Sequence, residues 1–155
     1  MLKKYFVLSM MTLVSAVLFT GCGGDASYKD GTYEGKSEVR EGISEDGSGE
    51  EGDEAGNGYG VVKITVKDGV IADCEYQTFE TDGTLKDSEY GKKQGNVANK
   101  DFYNKAQKAV AACDEYASQL VASGRLSDVD AISGATINYE EFQEAVENAL
   151  EKAKE

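Results

Sequence analysis

The sequence predicts an α+β domain in which a small antiparallel sheet packs against two C-terminal helices. Apolar residues alternate with a period of two between positions 59 and 79, which is typical of strands with one buried face. After position 99, and again near the C-terminus, the apolar spacing changes to three and four residues, which is typical of amphipathic helices. Because each helix has one apolar stripe, both helices can cover the buried face of the sheet.

The predicted strands lie in two segments. Residues 30–37 begin with a turn and continue as a short strand candidate. Residues 59–79 form a hairpin, because two alternating apolar patterns flank a Lys-Asp-Gly turn at 67–69. Alternation gives each arm one buried and one wet face, as in an antiparallel sheet covered on one side. The predicted buried positions are Val62, Ile64 and Val66 in the first arm and Val70, Ala72, Cys74, Tyr76 and Thr78 in the second.

Capping residues bound the two predicted helices. Asn99 can cap the start of the first helix, and Gly124 can end it. The second helix is predicted to begin at Asn138, because Asn138 and Glu141 have the spacing of a capping box. An apolar stripe follows from Phe142 onward, so this helix too has one face for the core.

The composition excludes several kinds of chemistry. The 155-residue chain has no histidine, which excludes Ser-His and Cys-His nucleophile pairs, imidazole proton transfer and His-ligated metal sites. A net charge of −13 repels phosphate backbones and argues against a nucleic-acid partner. Any catalysis or redox chemistry must therefore use carboxylates, hydroxyls, thiols or a bound cofactor.

The N-terminus has the features of a bacterial lipoprotein leader. A charged region and an apolar run are followed by Gly21 and Cys22, and the run is short for a transmembrane span. We therefore predict a signal peptide at 1–21 and a lipid-anchored spacer at 22–29 that begins with the acylated thiol of Cys22. The expected location is the extracytoplasmic side of the cell membrane, and an uncleaved signal anchor is the alternative.

Residues 41–58 are predicted to form an acidic loop within a domain that spans 30–155. Nearly every residue of the loop is Gly, Ser, Asp, Glu or Asn, so the segment has little apolar area to bury. A calcium-binding loop is an alternative for this run of carboxylates. Its spacing does not match a hand-type calcium loop, since Glu51 stands where the sharp turn needs glycine.

Cys74 and Cys113 are the thiols that remain once Cys22 is acylated. In an exported protein they can form one disulfide, or both can stay unpaired and buried, since sequence spacing does not define their geometry. The spacing of apolar residues places both on the apolar faces of their predicted elements. This favours two buried structural thiols over a redox-active pair.

A loop of small residues at 130–136, Asp-Ala-Ile-Ser-Gly-Ala-Thr, lies between the two helices. Unpaired N–H groups and the positive end of the helix dipole favour a phosphate at a helix start. Gly134 and Ala135 leave room for a bulky group, and β-branched Thr136 directs a hydroxyl. Glu140 and Glu141 argue against an anion, because they occupy the first turn of the predicted helix and would repel it. An ordinary interhelical turn is the alternative interpretation.

The string Asp-x-x-Ser-Gly-Ala-Thr at these positions resembles the signature of the FMN-binding domain family. That family includes flavin-bearing subunits of sodium-pumping NADH:quinone oxidoreductase and small bacterial lipoproteins. In the family, a flavin transferase that uses FAD esterifies the last threonine of the signature to the phosphate of FMN. The resemblance therefore implies covalent FMN on Thr136, with Asp130, Ser133, Gly134 and Ala135 forming the recognised loop.

Two segments differ from the family pattern. Asn138 stands where a hydroxyl residue is usual, and residues 80–85 stand where larger members have a Glu-Thr-Pro-Gly-Leu-Gly segment near the flavin ring. The resemblance implies ring contacts by Glu80 and Thr81. Tyr139 is the best candidate among the tyrosines for stacking on the ring, because it lies three residues after the modified threonine.

The function implied by the resemblance is electron transfer, more as a carrier than as an enzyme. FMN would supply the redox chemistry that the residues themselves lack. The implied partners are a flavin transferase for maturation and a membrane redox partner, which should present a basic face to so acidic a protein. The alternative function is a surface binding module or antigen of the same fold without covalent flavin.

Overall fold

The computed structural model describes residues 28–41 and 57–154, and within them it has three strands and two long helices. The elements are β1 (Gly31–Lys36), β2 (Tyr59–Lys67), β3 (Val70–Phe79), α1 (Lys100–Ser123), a 3-10 turn (Leu126–Asp128) and α2 (Thr136–Lys154). The strands form one antiparallel sheet in the order β1-β2-β3. α2 packs mainly on β1 and β2, and α1 packs on β3. This arrangement confirms the predicted α+β class.

Several predicted segments lie outside the described residues. They are the leader at 1–21, the lipid-anchor residue Cys22, most of the spacer at 22–29 and most of the acidic loop at 41–58. Within residues 28–41 and 57–154, none of the helices has the length and apolar character needed to cross a membrane. The same part of the chain has no cluster of three or more His, Cys, Asp or Glu side chains that could hold a metal ion.

The β2–β3 hairpin forms as predicted, with one face against the helices. The predicted inward positions of β2 are buried, and so are the last two of β3, whereas Cys74 is half-buried. Burial of branched and aromatic side chains on this face supplies the main apolar contribution of the sheet to the core. The buried residues concerned are Val62, Ile64, Val66, Tyr76 and Thr78.

The start of β3 differs from the prediction. Val70 and Ala72 were expected on the buried face, but both are exposed, and Ile71 is buried in their place. The register supplies the reason: Val66 pairs with Ile71 while its preceding neighbour pairs with Asp73, so Ala72 is the extra residue of a β-bulge. The alternation changes phase at the bulge, which a strict period of two does not anticipate.

The predicted bounds of α1 are confirmed by its caps. The side chain of Asn99 accepts hydrogen bonds from the N–H groups of Asp101 and Phe102. Gly124 ends the helix in a left-handed conformation, with φ of 69°, and its N–H donates to the carbonyl of Leu120. Local sequence therefore determines both ends of this helix.

The start of α2 was predicted wrongly, because the helix begins at Thr136 and not after Asn138. Asn138 is buried, and its Nδ2 donates to the carbonyl oxygen of Ala109, 3.0 Å away on α1. Glu141, the proposed partner in a capping box, is also fully buried. Both side chains point toward the core, so neither caps the helix.

α2 also covers the outer strand of the sheet. A side chain at Gly35 of β1 would clash with the carbonyl oxygen of Ala145, so the glycine allows the helix to approach the strand closely. Asn148 of α2 donates a hydrogen bond of 2.8 Å to the carbonyl of Lys36. A backbone group at the end of this edge strand is thereby paired with a side chain of the helix.

Candidate functional site

The candidate site is the loop at residues 130–136, which connects the 3-10 turn to α2. Asp130, Ser133, Gly134 and Thr136 are exposed, whereas Ala135 is fully buried. The structure therefore brings the predicted loop residues together and places the Thr136 hydroxyl on the surface. Thr136 is the first residue of α2 itself, and not a residue two positions before the helix.

The centre of the loop is a tight turn from Ile132 to Ala135. The N–H of Ala135 donates to the carbonyl of Ile132 at 3.0 Å, and Gly134 has a left-handed φ of 81°. The carbonyl of Ala135 accepts the N–H of Tyr139, which begins the hydrogen-bond pattern of the helix. The turn thus leads directly into α2, with Thr136 as the next residue.

Tyrosine and glutamine side chains hold this loop in place. The fully buried Tyr116 accepts the N–H of Ile132 at 3.0 Å and donates to the carbonyl of Ala135 at 3.1 Å. Gln119, also on α1, accepts the N–H of Asp130 at 2.8 Å. From the sequence, Tyr116 was only one of six tyrosines that could contact the ring, and Gln119 was not a candidate, because nothing in the sequence places α1 next to the loop.

Tyr139, the candidate for ring stacking, has a structural contact of its own. Its hydroxyl donates to the carbonyl of Val129 at 2.8 Å, and its ring lies 5.5 Å from that of Tyr116 at a tilt of 41°. The side chain is half-buried, so one part of the ring lies against α1. A role in stacking on a flavin stays a prediction.

The electrostatic surroundings of the loop favour an anion. The N–H groups of the first helical residues have no carbonyl partner within the helix, and no acidic residue lies in the first turn of α2. A Cβ built on Gly134 would lie 3.3 Å from Lys108 Nζ, so an ammonium group lies beside the loop. Lys108 is the third α1 residue at this loop whose position the sequence does not reveal, since nothing distinguishes it from the other exposed lysines of α1.

The objection raised by the carboxylates at 140–141 is weaker than the sequence indicated. Because α2 begins at Thr136, these residues lie beyond the first turn. Glu140 Oε2 lies 2.6 Å from Arg40 Nη1, and this ion pair offsets part of the negative charge of Glu140. Glu141 points into the core. The surface around Thr136 therefore fits a phosphate group better than the predicted helix start allowed.

Glu80 and Thr81 lie in a different part of the structure, in the turn after β3. The N–H of Glu80 donates to the carbonyl of Thr84 at 2.8 Å, and Thr81 is exposed. Burial lowers the pKa of Lys86, near the end of this turn, and the negative charges of Glu141 and Glu80 partly oppose that shift. The turn thus lies toward the end of the sheet where α2 begins, and contact of Glu80 or Thr81 with a flavin ring stays a prediction.

Glu141 is a buried carboxyl group on the inner side of α2, and the positive charges of Lys86 and Arg40 act on it. Its side chain is 0% exposed, and neither carboxylate oxygen has a hydrogen-bond partner among the described residues. Burial raises the pKa of Glu141 from its ordinary value of 4.5 to about 7, while the positive charges of Lys86 and Arg40 lower it by less. Glu141 comes five residues after Thr136, so the buried carboxyl group and the exposed threonine lie on different sides of the helix.

The two thiols are unpaired, which answers the question that the spacing left open. Cys74 is half-buried and Cys113 is buried. Burial, aided by the charges of Asp73 and Glu75, raises the pKa of the Cys74 thiol to about 12, and burial also raises the pKa of Cys113. Both groups are therefore neutral thiols at pH 7 and poor nucleophiles.

A model of the FMN-binding domain family matches residues 56–151, which is more than half of the chain. The chain belongs to this family. Its flavin ligand is accordingly FMN, and the matched range includes the sheet hairpin, α1, the loop at 130–136 and most of α2. The exposed hydroxyl, the unpaired N–H groups and Lys108 are the features of this FMN-binding domain that fit a flavin phosphate.

Two solved structures resemble this FMN-binding domain. The crystal structure of the CPE2226 protein from Clostridium perfringens has a TM-score of 0.53 and 21% identity, covering 81% of this chain and 88% of that one. A solution NMR structure from Clostridium thermocellum has a TM-score of 0.41 and 24% identity, covering 82% and 93%. The first likeness supports the fold. No curated protein matches the chain.

Proposed function

We propose that this protein carries FMN covalently on Thr136 and acts as a lipid-anchored electron carrier on the extracytoplasmic side of the cell membrane. The observation that carries the proposal is the position of Thr136 in an FMN-binding domain. Its hydroxyl is exposed at the first residue of α2, directly after a turn whose conformation is held by hydrogen bonds.

The proposed linkage is a phosphoester between Thr136 Oγ1 and FMN. In its formation, Oγ1 attacks the FMN phosphorus of FAD within a flavin transferase. A new P–O bond forms, the pyrophosphate P–O bond breaks, AMP leaves, and the hydroxyl proton passes to a base or to solvent. No electrons are exchanged in this step, so it needs no oxidant or reductant.

Residues around Thr136 support a bound phosphate. The helix dipole and the first N–H groups of α2 favour negative charge at this position. Lys108 adds a positive charge beside Gly134. The first turn of α2 contains no acidic residue. These groups would hold and orient the phosphate, while the flavin ring supplies one- or two-electron chemistry when bound.

The proposed role as a carrier rests on what the chain offers beside the flavin. Cys74 and Cys113 are neutral thiols, and the chain has no histidine, so its own side chains supply little redox chemistry near pH 7. A covalent bond would prevent loss of FMN from a protein outside the cytoplasm. A net charge of −13 favours redox partners with a basic docking face.

The lipid anchor on Cys22 completes the proposal and depends on the sequence alone. Two acyl chains would hold the protein at the membrane, because so acidic a body gains no attraction from anionic lipids. Labelling with a radioactive fatty acid in a bacterial host tests this part separately. Wild type should incorporate label and Cys22→Ala should not.

The test of the flavin linkage is intact-mass spectrometry after co-expression with a flavin transferase. Wild type should gain the mass of one FMN minus one water, and Thr136→Ala should gain nothing. Ser127→Ala is the matched control, since it removes another exposed hydroxyl just outside the loop and should keep the adduct.

Two outcomes would contradict the proposal. Unmodified wild type in the presence of an active transferase rules out Thr136 as an acceptor. Yellow protein that loses its pigment on denaturation instead favours the binding module without covalent flavin.

A further inference from the structure

We infer that Tyr116 is a positioning residue for flavin attachment, because its phenol fixes the backbone turn that presents Thr136. This inference rests on the proposed function. It concerns a residue of α1 that is distant in sequence from the signature loop and that no part of the signature includes.

Tyr116 completes the hydrogen bonding of the two residues that bound the turn. The N–H of Ala135 pairs with the carbonyl of Ile132 within the turn. The N–H of Ile132 donates to the hydroxyl of Tyr116 at 3.0 Å, and the same hydroxyl donates at 3.1 Å to the carbonyl of Ala135, which also accepts the N–H of Tyr139. One phenol therefore joins both ends of the turn and uses its donor and an acceptor site to do so.

The phenol itself is held firmly. Tyr116 is 0% exposed, and its ring lies 5.7 Å from that of Phe142, nearly parallel at 22°. The ring of Tyr139 also lies close, at 5.5 Å. Since two rings of α2 pack against this side chain of α1, the hydroxyl has a defined position that depends on the packed core and not on the loop.

Such a clamp matters for a residue that must enter another enzyme's active site. Attack on a phosphorus atom needs the hydroxyl oxygen in a narrow range of positions, and small displacements lower the rate strongly. Thr136 directly follows Ala135, so a change in the direction of the Ala135 carbonyl changes the direction of the threonine. Tyr116 therefore affects the reaction through the backbone and without contact with FMN.

The test compares Tyr116→Phe with Tyr76→Phe. Tyr76 is a matched control, because it too is buried, contacts the ring of Phe142 and donates to a backbone carbonyl of α2, that of Asn138 at 2.7 Å. Both variants lose one buried hydroxyl. Only the first loses bonds to the turn.

The main measurement is the steady-state rate of FMN transfer from FAD to each variant by a purified flavin transferase, with the variant as varied substrate. We expect Tyr116→Phe to lower kcat about tenfold and Tyr76→Phe to change it less than about twofold. Loss of folded protein alone would act as a lower substrate concentration and would leave kcat unchanged. The kcat value therefore separates positioning from stability.

A second measurement needs no flavin. Amide hydrogen exchange at Ile132 should be faster in unmodified Tyr116→Phe than in wild type and unchanged in Tyr76→Phe. The inference is overturned if kcat for Tyr116→Phe lies within twofold of wild type, or if kcat falls equally in both variants. In either case, modification of the wild type still supports the proposed function. If wild type accepts no FMN, the proposed function fails and this inference fails with it, whatever the exchange at Ile132.

Discussion

Polar groups are satisfied in different ways on two sides of the start of α2. The outer side comprises the exposed Thr136 and the turn before it, and the inner side comprises the buried Glu141. On the outer side, the backbone groups that bound the turn before Thr136 are paired, and the Thr136 side chain is exposed. On the inner side, Glu141 has both oxygens buried without a hydrogen bond among the described residues. The backbone is fixed by hydrogen bonds on the outer side, whereas on the inner side a buried carboxyl group has none among the described residues. The outer side is therefore suited to presenting a hydroxyl, and the inner side is sensitive to pH.

The inner side should give the largest effect on stability. The pKa of Glu141 is about 7 in the folded protein, against an ordinary value of 4.5 when unfolded, so the folded state binds the proton more tightly. Its contribution to stability is therefore present at low pH and is lost as the pH rises from about 4.5 through 7. The full loss is about 3 kcal/mol at most.

Urea unfolding between pH 5.5 and 8.5 checks this prediction, with Glu141→Gln as the neutral variant. The variant should lose less stability than wild type across this range, because it has no proton to release. Glu147→Gln, an exposed change on the same helix, should keep the wild-type pH profile. Identical profiles for wild type and Glu141→Gln would show that the buried carboxyl does not titrate here.

The turn on the outer side should respond to a change in backbone preference. Gly134 has a φ of 81°, so Gly134→Ala places a side chain in the left-handed region and should cost about 1 kcal/mol or more. Gly124→Ala is a control with similar strain, since Gly124 has a φ of 69° and space around it. Thermal unfolding should show similar losses, and only Gly134→Ala should slow flavin attachment. Equal rates of flavin attachment in both variants would show that the conformation of this turn does not affect the modification.

The smallest effect is expected for the charge beside the loop. Lys108→Gln should change the free energy of unfolding by less than about 0.5 kcal/mol, because the residue is exposed. If its ammonium favours the phosphate, flavin attachment at low salt should slow about threefold. The difference should decrease at high salt through screening. Lys105→Gln, another exposed lysine of α1, is the control, and an equal slowing in both would indicate only the loss of net charge.

The sequence predicted those features that depend on neighbouring residues. The cap of α1 was predictable because Asn99 bonds to N–H groups two and three residues later. The hairpin was predictable because alternation and a turn are both local patterns. The position of the bulge was not, since Ala72 is excluded from pairing only when Val66 selects Ile71 as its partner. A prediction from periodicity alone therefore assigned the wrong face to the first residues of β3.

The start of α2 shows the same division within one segment. Asn138 has a capping residue's chemistry at a plausible position, but its amide bonds to Ala109 on α1 instead. The sequence could identify the loop and Thr136, both of which are local. It could not identify Tyr116, whose partners lie 16 and 19 residues away, or Lys108. The sequence also assigned Glu141 to a capping box, whereas packing buries its carboxyl group completely.

By itself, the sequence determined the α+β class, the order of the elements and the loop that carries the family signature, because each depends on periodicity, capping or a short motif. The tertiary structure decided which side of α2 faces solvent, which phenol fixes the turn before Thr136, and which carboxyl is buried. Those features depend on contacts between α1, α2 and the sheet, and such contacts form only when packing brings distant residues together.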